Sequence, residues 1–105
     1  MSLDESVQNL TPDELAHRLR DGTAVLVDVR EAGEFAAEHI AGAVLHPLST
    51  FDPATLPAGP VVFQCGSGKR SLTAIARATA AGLPYHAHLA GGLMAWKSAG
   101  LPTET

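Results

Sequence analysis

The chain has 105 residues, of which 46% are hydrophobic, and a net charge of −4 at pH 7. This length suits one hydrophobic core, so we expect residues 1–105 to form a single domain, with residues 1–5 disordered. The single cysteine excludes an internal disulfide, and no apolar run approaches the roughly 18 residues that span a bilayer.

Cysteine usage and charge distribution limit the compartment and the partners. One free cysteine and the lack of a signal peptide predict a reducing, cytoplasmic setting. Residues 1–52 hold ten acids and three bases, whereas residues 53–105 hold four bases and one acid. The positive second half suits a small anionic ligand, while the overall acidity argues against a nucleic-acid partner.

The first half of the chain is predicted to contain three strands and two helices. Thr11, Pro12 and Glu14 supply an N-cap, a proline at the first helical position and a capping-box acid. The apolar run 24–29 is typical of a central strand that is covered on both faces. We expect Phe35 to face inward from the second helix. The predicted elements are strands at 6–9, 24–29 and 43–45 and helices at 12–20 and 31–38.

The second half continues the alternation of strands and helices. Residues 48–59 form a looser connection with one or two helical turns. The predicted elements after it are strands at 60–64 and 85–89 and helices at 71–81 and 93–99. This alternation predicts an α/β fold with an open, mostly parallel sheet of four to five strands and helices on both faces. Ligands of such sheets bind beyond the carboxyl ends of strands, where Cys65 lies.

The segment that follows the strand at 60–64 is the strongest candidate for a functional site. Gly66 and Gly68 permit a sharp turn whose inward amides form an anion-binding nest, and the next helix adds the positive end of its dipole. Cys65 is expected at the mouth of this hollow as an activated thiolate, although a lone cysteine is more often inert. The residues expected to bind the anion are Gly66, Ser67, Gly68, Lys69, Arg70 and Ser71.

Three segments together resemble the rhodanese sulfurtransferases. Residues 65–71 are similar to the C-x-x-G-x-R active-site loop of that family. Residues 28–43 and 91–102 are similar to its N-terminal and C-terminal signatures. The resemblance implies a rhodanese-like fold and a Cys65 persulfide that carries sulfur without a metal or organic cofactor. It also implies a small anionic donor such as thiosulfate, a cyanide or thiol acceptor, and an acceptor protein as a further partner.

Several other functions remain open from the sequence. A non-enzymatic module that relays sulfur or senses redox state through Cys65 would need the same loop. Phosphatases and arsenate reductases also resemble this fold, but the phosphatase loop has five residues between Cys and Arg, whereas four separate Cys65 from Arg70. Residues 11–102 are also similar to rhodanese domains of bacterial proteins that continue into two membrane spans. We therefore expect either a free-standing relative or a piece of such a protein.

Other polar residues have weaker claims to a functional role. Asp28 and Arg30 lie at the carboxyl end of the strand predicted at 24–29. They either shape the rim of the site or form a structural ion pair, and the ion pair is favoured. His39 is expected to make structural hydrogen bonds. His86 and His88 are two residues apart on a strand, so they could hold a metal, but a solvated strand face is favoured and no metal site is predicted.

Overall fold

The computed structural model describes residues 7–105, which form five strands and four helices. The predictions for residues 1–6, including the start of the first strand, lie outside the described residues. The strands are β1 (Gln8–Leu10), β2 (Val25–Asp28), β3 (Val44–Leu45), β4 (Val61–Gln64) and β5 (Ala87–Leu89). The helices are α1 (Pro12–Asp21), α2 (Ala32–Ala37), α3 (Lys69–Ala80) and α4 (Gly92–Ser98).

The five strands form one sheet in the order β1-β5-β4-β2-β3, and all four pairings are parallel. The predicted parallel α/β sheet is confirmed. The predicted central strand is confirmed as an interior strand, because β2 pairs with β4 on one side and with β3 on the other. Asp28 pairs with Gln64, so β2 and β4 end side by side at the carboxyl edge. Cys65 immediately follows β4 at that edge.

Hydrophobic side chains cover both faces of the sheet, as the continuous apolar strands predicted. Leu26 and Val62 belong to a cluster that includes Leu15 of α1 and Trp96 of α4. The alternate residues of the same strands, among them Phe63, belong to a second cluster that contains the buried face of α3. Two short 3₁₀ turns at 48–50 and 53–55 flank this second face. The prediction of helices on both faces is therefore confirmed.

The helix starts determine which backbone amides are available near Cys65. The predicted capping box of α1 is present, because Thr11 and Glu14 exchange side-chain to backbone hydrogen bonds of 2.9 and 3.1 Å. Helix α3 begins at Lys69, two residues earlier than predicted, after Gly68 at φ +99°. The amide of Ser71 thus belongs to the first turn of α3 and lacks an intrahelical acceptor. That donor is free to face Cys65.

The other elements differ from the predictions mainly at their ends. Strand β5 begins at Ala87 rather than at Tyr85, whose hydroxyl donates to the carbonyl of Pro57 at 3.1 Å. Phe35 of α2 is half-buried, and its ring stacks on His39 at a centroid distance of 3.9 Å. Within residues 7–105, the helices are too short or too polar to cross a membrane.

Candidate active site

Cys65 lies in the loop between β4 and α3, and its side chain is fully buried, with 0% exposure. The prediction that Cys65 lies at the mouth of a hollow is therefore wrong. The loop turns so tightly that the sulfur points beneath its own amides and packs in the same cluster as Phe63 and Ala74. Ser67, by contrast, is exposed at the rim of the loop. Cys65 thus forms the floor of the site.

Backbone amides converge on the sulfur, as the glycine spacing predicted. The amide of Gly68 donates to Cys65 Sγ at 3.1 Å, and the amide of Ser71 donates at 3.4 Å. Burial raises the pKa of the Cys65 thiol, whereas hydrogen bonds from Ser71, Gly68 and Ser67 lower it. The hydrogen bonds together outweigh burial, so the pKa lies below its ordinary value. This arrangement favours the thiolate, which is the nucleophilic form of cysteine.

Helix α4 orients the loop from the outside. The amide of Leu93 donates to the carbonyl of Cys65 at 2.8 Å, and that of Met94 donates to the carbonyl of Gly66 at 3.0 Å. A trans peptide points its N–H away from its C=O, so holding these two carbonyls turns the amides of Gly66 and Ser67 away from α4. The sequence pattern did not reveal this role of α4 and of the glycine pair at 91–92 that precedes Leu93.

Gly92 makes this close approach between α4 and the loop possible. It has φ +62°, and a Cβ built on it would lie 2.5 Å from the carbonyl oxygen of Cys65 and 2.6 Å from Gly66. No side chain fits in that space, since real Cβ atoms do not approach backbone atoms so closely. The glycine is therefore part of the machinery that shapes the loop.

The two cations predicted beside Cys65 have different environments. Lys69 is exposed at the first position of α3. Arg70 forms a bidentate ion pair with Glu34 of α2, with Nη1–Oε1 and Nη2–Oε2 distances of 2.7 and 3.0 Å. Its Nη2 lies 3.3 Å from the position a Cβ would occupy on Gly66. Glu34 therefore holds the guanidinium against the loop, a contact between residues 36 positions apart that the sequence did not reveal.

The ion pair between Arg70 and Glu34 also predicts a pH dependence of stability. The hydrogen bond from Arg70 lowers the pKa of Glu34 from its ordinary 4.5 to about 2. A lowered folded-state pKa stabilises the protein above pH 4.5, and this contribution disappears as the pH falls towards 2. Solvent screening limits it to less than about 1 kcal/mol. In urea unfolding, Glu34→Gln should therefore have a lower free energy of unfolding than the unaltered protein at pH 6, and this difference should vanish towards pH 2. A difference that stays constant with pH would contradict this account.

Asp28 and Arg30 form a buried ion pair at the end of β2. Arg30 Nη2 lies 2.8 Å from Asp28 Oδ2, and Arg30 Nε lies 3.0 Å from Oδ1, with the two residues 4% and 0% exposed. Arg30 also donates to the carbonyl of Glu38 beyond α2, at 2.7 Å. These contacts fasten α2, and hence Glu34, to the sheet. Burial of both side chains favours the structural role over a place on the rim.

His88 is the site residue that the sequence analysis missed. The predicted solvated strand face is wrong for His88, which is 3% exposed because the first turn of α3 covers that side of β5. Its Nδ1 lies 2.7 Å from the hydroxyl of Ser71, and its Nε2 lies 2.7 Å from Oδ1 of Asn9. His86 precedes β5 and is not part of this contact. The only signal for His88 in the sequence is the two-residue spacing between the two histidines.

The described histidines do not form a metal-binding cluster, and His39 is held by structural contacts. Among residues 7–105, no group of three or more His, Cys, Asp or Glu side chains could hold a metal ion. His39 Nδ1 lies 2.8 Å from the carbonyl of Phe35, and Nε2 lies 3.3 Å from Glu104 Oε1. These contacts give His39 the structural hydrogen bonds that were expected of it.

The fold and the loop together define a class of protein. It is a parallel α/β domain that holds a buried cysteine under converging amides, at the carboxyl edge of its sheet. Residues 11–99 match the family model of the rhodanese-like domain. The chain therefore belongs to the rhodanese-like family.

Comparison with known proteins supports this membership. The chain is 42% identical over 97 residues to an uncharacterized protein of Synechocystis sp., covering 90% of this chain but 54% of that protein. It is 35% identical over 97 residues to the thiosulfate sulfurtransferase GlpE of Pseudomonas fluorescens, covering 90% of this chain and 88% of that one. A rhodanese-related protein from Thermoplasma volcanium shares the fold, with a TM-score of 0.81, 23% identity and coverage of 92% and 97%.

Proposed function

We propose that this protein is a sulfurtransferase that moves a sulfane sulfur from thiosulfate, or a similar anionic donor, to a thiophilic acceptor through a persulfide on Cys65. The observation that carries the proposal is the pair of amides, from Gly68 and Ser71, that donate to Sγ. They favour a thiolate. In the proposed persulfide, the amides of the loop would hold the anionic charge that moves onto a second sulfur. Membership of the rhodanese-like family agrees with this chemistry.

The proposed reaction has two nucleophilic steps. The Cys65 thiolate attacks the outer sulfur of thiosulfate, the S–S bond of thiosulfate breaks, and sulfite leaves with the bonding electron pair. The loop then holds the persulfide anion of Cys65. Cyanide or an acceptor thiolate attacks the outer sulfur of the persulfide, and the Cys65 thiolate is the leaving group. Atoms and charge balance in both steps, and residues of this chain alone carry them.

The size of the loop favours sulfur over phosphate chemistry. Four residues separate Cys65 from Arg70, and the sulfur lies on the floor under amides of the same loop. A phosphoryl group would need a wider ring of amides than this loop provides. Hydrolysis of p-nitrophenyl phosphate at a rate comparable with sulfur transfer would contradict this assignment.

The test of the proposed function is intact-mass analysis after incubation with thiosulfate, followed by turnover with cyanide. The mass should rise by one sulfur atom, and because Cys65 is the only cysteine, that sulfur can be assigned to it. Addition of cyanide should remove the sulfur and release thiocyanate repeatedly. A persulfide that forms once without turnover would favour a sulfur relay module, and an unchanged mass would refute the proposal.

Arg70→Ala is expected to weaken the use of thiosulfate much more than it weakens the fold. A guanidinium at the rim contributes charge-assisted hydrogen bonds to an anionic donor, so KM for thiosulfate should rise about tenfold or more. The pair with Glu34 is more than a third exposed on both sides, so the free energy of unfolding should fall by less than about 1 kcal/mol. Steady-state kinetics and urea unfolding measure the two effects.

The matched control for this prediction is Arg77→Ala. Arg77 lies on the same helix and donates to the carbonyl of Leu48 at 3.1 Å, away from the loop. Its substitution removes the same charge but should leave KM for thiosulfate unchanged. Equal KM changes in the two variants would mean that Arg70 acts only through the net charge of the protein.

A further inference from the structure

A continuous chain of polar groups leads from the buried sulfur to the exposed Asn9 on the edge strand of the sheet. Cys65 Sγ lies 3.6 Å from Ser71 Oγ, Ser71 Oγ lies 2.7 Å from His88 Nδ1, and His88 Nε2 lies 2.7 Å from Asn9 Oδ1. Ser71 is 0% and His88 3% exposed. We call these four residues the Cys65–Asn9 chain. It joins the loop, α3, β5 and β1.

The direction of each hydrogen bond in the Cys65–Asn9 chain follows from Asn9. Asn9 Oδ1 only accepts, so His88 Nε2 carries the hydrogen and Nδ1 of the neutral ring is an acceptor. Ser71 can then donate its single hydroxyl hydrogen to Nδ1 at 2.7 Å or to the carbonyl of Gly68 at 3.2 Å, and the shorter contact to Nδ1 is favoured. The remaining lone pairs of Ser71 Oγ face the sulfur. In the resting thiol state, the S–H of Cys65 therefore donates to Ser71.

We propose that His88 is a positioning residue that takes up the thiol proton of Cys65 through the hydroxyl of Ser71. The S–H bond of Cys65 breaks as a new O–H bond forms on Ser71, while the original O–H bond of Ser71 breaks as an N–H bond forms on His88. The products are a thiolate and an imidazolium, with no change in oxidation state. In the cycle, this role rests on the proposed function, since it supplies the nucleophile for sulfur transfer.

The four residues of the Cys65–Asn9 chain are hydrogen-bonded to one another both before and after the proton transfer. Afterwards, Ser71 donates to the thiolate, His88 Nδ1 donates to Ser71, and Nε2 still donates to Asn9. Each side-chain polar atom of the Cys65–Asn9 chain that takes part in the transfer thus keeps a partner. Burial also lowers the pKa of His88, so the ring is neutral before the transfer and its Nδ1 lone pair is available to Ser71.

Among residues 7–105, the polar side chains that contact His88 are Asn9 from β1 and Ser71 from α3, both uncharged, and burial is the cause of its lowered pKa. The other titratable group of the Cys65–Asn9 chain is Cys65, which follows β4. The charge of Arg70 interacts with Cys65, and it remains in place when His88 is changed. A change at His88 therefore reports on the Cys65–Asn9 chain.

The test compares Cys65 alkylation by iodoacetamide, as a function of pH, in the unaltered protein and in His88→Asn. Asparagine places an amide oxygen near the position of Nδ1, so it still accepts from Ser71 but cannot take a proton. We expect alkylation to be about tenfold slower at pH 7 and unchanged near pH 10, where the thiol ionises without help. An unchanged profile, or equal slowing at both pH values, would overturn the proposal.

Two further variants complete the design. His86→Asn changes the neighbouring histidine outside the Cys65–Asn9 chain and should keep the profile of the unaltered protein. Ser71→Ala interrupts the chain but keeps the backbone amide that donates to Sγ. Adding His88→Asn to Ser71→Ala should then have no further effect at pH 7, whereas additive effects would show that His88 does not act through Ser71.

A measurement without any change at His88 covers the case in which its variant does not fold. The ¹⁵N NMR titration of the His88 ring should move to lower pH in Cys65→Ser, because the thiolate that favours the imidazolium is gone. Identical titrations would overturn the proposal. None of these measurements uses a sulfur donor. A protein that fails to form a persulfide can therefore still pass them, and the reverse also holds.

Discussion

Cys65→Ser should abolish sulfur transfer and leave the fold intact. Removal of the attacking atom of a nucleophilic enzyme costs on the order of a thousandfold or more in kcat, since a serine hydroxyl is not ionised at neutral pH. The hydroxyl is nearly isosteric with the thiol and can accept the same hydrogen bonds from Gly68 and Ser71. Thiocyanate formation and the mass gain from thiosulfate should therefore both disappear.

Urea unfolding provides the control for this substitution. The midpoint should stay close to that of the unaltered protein, because neither the volume of the side chain nor its hydrogen-bond donors change greatly. Retained turnover in a folded Cys65→Ser protein would refute the assignment of the nucleophile. Loss of the fold would instead show that the sulfur is needed for packing against Phe63 and Ala74.

Gly92→Ala should be strongly destabilising and should also distort the cysteine loop. The added Cβ would lie 2.5 Å from the carbonyl oxygen of Cys65, so α4 and the loop must separate. Overpacking together with a strained φ of +62° should lower the free energy of unfolding by about 3–5 kcal/mol. Separation would also break the bonds from Leu93 and Met94 that orient the loop peptides. Urea unfolding and sulfur transfer should both be affected.

Gly100→Ala separates the clash from the backbone strain. Gly100 has a similar φ of +79°, but a Cβ on it would meet no heavy atom of residues 7–105 within 4 Å. Its substitution should cost only about 1 kcal/mol and leave sulfur transfer unchanged. Equal destabilisation in the two alanine variants would mean that α4 does not press against the loop as described.

The fold was largely predictable from local patterns. Each of the signals used is formed by residues that are close together in the sequence. These signals are the apolar runs at 24–29 and 60–64, the helical segments between strands and the capping box at Thr11 and Glu14. The errors were mainly at the ends of strands and helices, as at β5, because packing determines where an element ends. The order of the strands was not predictable in this way, since it depends on contacts that no single segment encodes.

The candidate site was predictable only in part. The turn after β4 follows from Gly66 and Gly68, and the structure brings the amide of Gly68 onto the sulfur. The contact between Arg70 and Glu34 joins residues far apart in the chain, so local spacing could not reveal it. His88 was misplaced for the same reason: a polar residue at alternate positions suggests a solvated face until a helix is known to cover it.

Local sequence alone sets the thiol at a strand–loop–helix junction rich in amides, because glycine positions and apolar runs constrain the nearby backbone. Tertiary packing sets the depth of the sulfur, the partner of Arg70 and the burial of His88 against Ser71. These properties arise from contacts between α2, α3, α4 and the sheet. Such contacts form only when segments distant in the chain are brought together, and each segment is compatible with several neighbours until then.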